Sequence, residues 1–233
     1  MSTQTQAKPS NTFLELIFNI VIPSVILMKL SGAEYLGSVL ALVIALLFPI
    51  GYGLYDFIKN RSMNFISLLG FFSTLLTGGI GLFELDVEWL AIKEAAIPLV
   101  IGLVVLISSF WGKPLIAKIL LNPTLFNLDL IYQTLSNKDK TELFKSKILR
   151  ANHLLSITFV FSATMNYLLA KWIVVSPAGT AKFNEQLGEM TMLSYPVIAI
   201  PSMVMLSAIM FYVVRSTMKL TDLKFEQILN ATK

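Results

Sequence analysis

Six long apolar runs constrain this chain more than any other feature it has. A helix needs about 20 mostly apolar residues to cross a hydrocarbon core. Runs of that kind lie at about 12–30, 35–58, 64–83, 92–111, 148–174 and 192–214. Hydrophobic residues make up 55% of the 233 residues and charged residues only 14%, where an ordinary soluble domain carries about a quarter. A globule of this size has too little interior to hide so much apolar surface. No run alternates apolar and polar with period two, and backbone in hydrocarbon must satisfy its own polar groups. The expectation is an all-α, polytopic membrane helix bundle of one domain. It has six transmembrane helices within 12–214, a polar N-terminus at 1–11 and a C-terminal tail at 215–233. Glu15 and Asn19 interrupt the first run, which lacks a signal peptide's charged start and clean apolar stretch, so it reads as a retained helix.

The basic residues orient that bundle. All but Lys29, Lys93, Lys171 and Lys182 of the 18 Lys and Arg fall at the N-terminus, between runs two and three, between four and five, or after six. The opposite side is acidic, with Glu34, Glu84, Asp86, Glu88, Glu94, Glu185 and Glu189. Cytoplasmic loops of membrane proteins are enriched in Lys and Arg. Both termini are therefore expected inside, at the inner membrane of a bacterium. The net charge of +4 fits a face turned toward anionic headgroups. The cations form no compact basic domain, which argues against nucleic acid.

The connection at about 112–147 is long for a loop. Leu125, Leu128, Ile131 and Leu135 repeat in it at helical spacing. This predicts a short amphipathic cytoplasmic helix, either on the inner leaflet or packed under the bundle. The tail, with Leu220, Leu223, Phe225, Ile228 and Leu229, has the same character.

Ionisable and strongly hydrogen-bonding groups in apolar runs ask for a reason. Glu15 and Asn19 share a helix face near the start of the first run. Tyr52, Tyr55 and Asp56 cluster at the end of the second. Glu94 opens the fourth, Lys113 follows it, and His153 and Asn166 lie in the fifth. Each has an ordinary structural reading, in capping, interfacial pairing or inter-helix bonding. Together they are the candidates to line a cavity or substrate path. Such a cavity would draw on Tyr52, Ser73, Thr74, Thr77, Glu94 or Asn166. Pro23, Pro49, Pro98, Pro196 and Pro201 fall within the runs, and Gly78, Gly79 and Gly81 crowd the third. Proline-broken helices with small-residue faces suit a transporter or a closely packed static bundle.

Catalytic signatures are absent. The chain has no cysteine and one histidine, so thiolate chemistry and His-rich metal sites are excluded. It has no phosphate-binding GxxxxGK[ST], HExxH or GxSxG. No enzyme activity, cofactor or metal is expected. A lipid-headgroup enzyme would need His153, Asp56 and Glu15 together.

One stretch resembles a known family. Leu54-Tyr55-Asp56-Phe57-Ile58-Lys59-Asn60-Arg61 leads to the pair Gly78-Gly79, and then to Trp89-Leu90-Ala91-Ile92-Lys93-Glu94. The fourth run ends Ser108-Ser109-Phe110-Trp111-Gly112-Lys113-Pro114-Leu115-Ile116. This order, over about 20–215, is similar to the intracellular septation protein A family of bacterial inner-membrane proteins. The connection between runs four and five is longer than that family's. The resemblance implies a non-enzymatic role in septation or cell-envelope assembly through membrane lipids and envelope or division proteins, with homo-oligomers compatible. The alternative is a small multi-pass transporter or lipid translocator.

Overall fold

The computed structural model describes residues 16–60 and 65–230, with backbone alone at 56, 57, 59, 60 and 65–68. Among the described residues ten α-helices follow in order: α1 (Ile22–Leu30), α2 (Gly37–Asn60), α3 (Phe65–Leu82), α4 (Glu88–Phe110), α5 (Leu115–Leu120), α6 (Leu128–Asn137), α7 (Thr141–Ile173), α8 (Ala181–Ser194), α9 (Ile200–Thr221) and α10 (Phe225–Ile228). Among the described residues there is no strand, only an isolated antiparallel bridge between Phe126 and Leu229. Among the described residues four helical runs are long and apolar enough to cross a membrane: Gly37–Tyr55, Glu88–Phe110, Thr141–Ile173 and Ala181–Thr221. The expected first and third spans are the shorter apolar helices Ile17–Leu30 and Leu69–Leu82 over the residues described.

The prolines act differently from the breaks expected of them. α2 and α4 run on through Pro49 and Pro98. The others are met by a wider helix. Proline removes the N–H that a carbonyl four residues earlier would use. Ile17–Val21 just before Pro23, and Tyr195–Ala199 around Pro196 and before Pro201, are π-helical. The Ile22 N–H accordingly reaches back to Ile17 O. The expected span at 192–214 thus lies inside an unbroken helical run from Ala181 to Thr221.

Contacts divide the chain into two units. The first holds Met1–Glu94 and Asn166–Tyr195. In it α1 packs on α2 and α8. Gly188 allows the approach, since a Cβ there would sit 2.9 Å from the Ser24 carbonyl oxygen. Buried Asn184 secures it by donating to Ser31 Oγ (3.1 Å) and Ser38 O (2.7 Å). Thr180 caps α8 by accepting from Phe183 N–H, satisfying one of the orphan donors at a helix start. Gln186 Oε1 accepts from the N–H groups of Val175 and Ser176 and so ties down the loop before it.

The second unit holds Ala95–Met165 and Pro196–Lys233. Its core includes Ile116, Leu120, Ile131, Leu135, Phe144 and Ile148. Ile131 and Leu135 are 1% and 0% exposed, and α6 packs on α9 and α10. The amphipathic helix spends its apolar face, Ile131 and Leu135, on the chain's own core. Each such side chain contributes about 1.5–3 kcal/mol when fully buried. Leu125, expected on that face, lies before the helix and is 56% exposed. The tail joins the same core. Asn127 N–H bonds Ile228 O, and Asn230 N–H bonds Leu125 O. The fifth expected span, α7, also starts earlier than 148, at Thr141, because Phe144 and Ile148 extend its buried stripe one turn at a time.

Candidate functional site

In the first unit, an ionised residue is carried inside an apolar segment with its partners supplied. Lys93, in the second turn of α4, is only 8% exposed. Its Nζ donates to Thr77 Oγ1 at 2.6 Å and lies 3.2 Å from Ser73 Oγ, both on α3. It pairs with Glu94 Oε1 at 2.7 Å. Ser73 and Thr77 are four residues apart, hence on one helix face. The Thr77 hydroxyl donates to Ser73 O at 3.0 Å, which turns its lone pairs toward the ammonium. An unpaired buried charge would cost several kcal/mol. Here the ammonium's three donors are matched by oxygens.

Glu94 lies between this cluster and a cavity of about 170 Å³ lined by Glu94, Asn166, Leu169, Met190, Thr191 and Ser194. That is room for a few waters or one small solute. Asn166 and Leu169 come from α7, the last three from α8. The Thr191 and Ser194 hydroxyls donate to the carbonyls of Leu187 (2.8 Å) and Thr191 (2.7 Å) on their own helix. Their oxygens are left as acceptors. With the Glu94 carboxylate, the wall is rich in acceptors and suits a small cation or a polar solute with N–H or O–H groups. Among the described residues no group of His, Cys, Asp and Glu could hold a metal ion.

Of the residues singled out in the sequence, Glu94 and Asn166 are brought together at this cavity. Asn19 is half-buried in the π-helical turn before α1. On α2, Tyr52 is half-buried and Tyr55 is 58% exposed. Glu15 and the Asp56 side chain lie outside the described residues. Lys113 and His153 belong to the second unit and are exposed.

Beside His153, Asn152 is fully buried and does the structural work. Its Oδ1 accepts from Ile116 N–H at 3.0 Å. Its Nδ2 donates to Val105 O at 2.6 Å and Ser109 Oγ at 2.8 Å. The signal was its place on the stripe of Phe144, Ile148, Ala151 and Leu155. Sequence alone singles out neither Thr191 and Ser194 on the cavity wall nor Lys93 beside Glu94. Hydroxyls in an apolar helix and a lysine near its start read as ordinary. Comparison of the chain with protein-family models, with curated proteins and with solved structures finds no match.

Proposed function

We propose that the chain is a small multi-pass transporter of the bacterial inner membrane, with six spans and both termini inside, that holds a small cation or polar solute at Glu94. The observation that carries this reading is the pair of buried Lys93 and half-buried Glu94 beside an acceptor-lined cavity. Ionisable groups in apolar segments mark ion and substrate paths. Lys93 keeps Thr77 and Ser73 when Glu94 turns to a solute. The carboxylate can therefore exchange partners without stranding the ammonium. No catalytic step is part of this reading. The test is thermal stability of the purified chain against a panel of monovalent cations, amines and small polyols. At least one class should raise the melting temperature of the wild type and leave Glu94→Gln unmoved. Equal shifts in both proteins, or none in either, would count against it.

A second reading, envelope assembly through membrane partners, draws on the resemblance at 54–61 and 108–116. One observation limits it. Part of the resembling motif is occupied within the chain, with Leu115 N–H on Ser108 Oγ and Ile116 N–H on Asn152 Oδ1. Cross-linking in living cells from exposed Lys113 decides it. Recovery of a division or cell-wall protein supports the reading, and recovery of none opposes it.

A further inference from the structure

A second, chemically different site lies in the second unit. Two helices present matching stripes there. α7 contributes Leu143 and Lys147, and α9 contributes Phe211, Arg215 and Lys219. Both stripes are spaced by four residues, so each lies along one helix face. Together they line a groove of about 530 Å³ with three cations and no acid. None of the three cations makes an ion pair with a described residue. The acid next to the groove in sequence, Glu142, is already paired with Lys145 at 2.6 Å. The Arg215 guanidinium lies 6.0 Å from the Phe211 ring centre, which leaves its N–H groups for an incoming anion. Tyr212 also lines the groove, and its hydroxyl is buried with no hydrogen-bond partner among the described residues.

The occupant is fixed by what adjoins the cations. Along one face of α9, Ile200, Met203, Val204 and Phe211 are 55–67% exposed. This apolar strip ends at Phe211, one turn before Arg215. A free phosphate has no use for such a strip. An acyl chain has, and headgroup phosphates sit where an apolar belt gives way to Arg and Lys. We propose that this groove binds one anionic phospholipid, its phosphate held by Lys147, Arg215 and Lys219 and a tail laid on the α9 strip. The site stands on the membrane reading of the chain and is independent of the Glu94 cavity.

The test is native mass spectrometry of the full chain, released from mixed micelles holding equal phosphatidylglycerol and phosphatidylcholine. The wild type should retain phosphatidylglycerol preferentially as a single stoichiometric adduct. Arg215→Gln with Lys219→Gln should lower that preference by about tenfold or more, given the strength of charge-assisted hydrogen bonds. Lys219→Arg, which keeps the charge, should preserve it and control for folding. The proposal is overturned if the wild type shows no preference. It is also overturned if the double variant retains the preference, or if inorganic phosphate alone displaces the lipid completely.

Discussion

At the scale of single residues, a charge taken out of water needs partners, and the first unit supplies them. Lys93 is the clearest case. Replacing it by Met leaves Glu94 without its cation while Ser73 and Thr77 lose a donor. Breaking a buried pair in this way costs on the order of 3 kcal/mol. The melting temperature of Lys93→Met in detergent should fall well below that of Lys145→Met, which removes only an exposed pair. Equal values would show that Lys93 is solvated. Asp222 offers a pH test. It closes α9 in the left-handed region at φ 60°, which Asn also tolerates. The hydrogen bond from Lys138, then that ammonium's charge, then Lys140, hold its carboxyl below the ordinary 3.8. A lowered folded value means stability present above the unfolded value and lost as pH falls through the folded one. The melting difference between wild type and Asp222→Asn should therefore hold from neutral pH down to about 3.8 and close below it. A difference that persists in stronger acid contradicts the pairing.

At the scale of elements, close helix crossings rest on particular glycines. A Cβ at Gly102 would sit 2.8 Å from Phe159 Cβ, and the Ser156 hydroxyl reaches the Gly102 carbonyl at 2.9 Å. Gly51 has nothing within 4 Å of its Cβ position. Gly102→Ala should destabilise by about 1–3 kcal/mol through overpacking. Gly51→Ala should be neutral or stabilise by up to about 1 kcal/mol, since Ala is the better helix former. Unfolding of both variants in graded denaturant decides it, and the reverse order would refute the crossing. Element existence was legible because apolar runs and the 128–135 periodicity follow directly from burial. The π-helical turns were not, because they answer a local shortage of donors at Pro23, Pro196 and Pro201 that hydropathy does not register. Nor was the tail's packing on α6, which depends on residues a hundred positions apart, such as Asn127 and Ile228.

At the scale of the whole molecule, the described helices supply four runs that meet the length and apolarity of a span, and two shorter apolar ones. The six-span reading adds the alternation of basic and acidic loops, which is legible in sequence alone. It predicts that Cys at Lys113 reacts only with a permeant thiol reagent in intact cells and that Cys at Asp86 reacts with an impermeant one. The opposite pattern would reverse the topology. The chain has no cysteine of its own, so single introduced thiols report without background. Part of the candidate site was legible too. Glu94 and Asn166 stood out because strong polar groups in apolar runs need a cause. The cavity's other wall did not, because Thr191 and Ser194 acquire meaning only when α8, which carries them, is set beside Glu94 and Asn166.

The most direct measurement uses that same clean background at Ser194, on the cavity wall. Ser194→Cys, in native membranes, is treated with a small cationic thiol reagent, with and without a solute that raises the melting temperature. The cavity account predicts labelling that the solute slows and that Glu94→Gln weakens. A thiol at 194 that stays unlabelled while one at Asp86 reacts fully, or labelling that neither the solute nor Glu94→Gln changes, would contradict it.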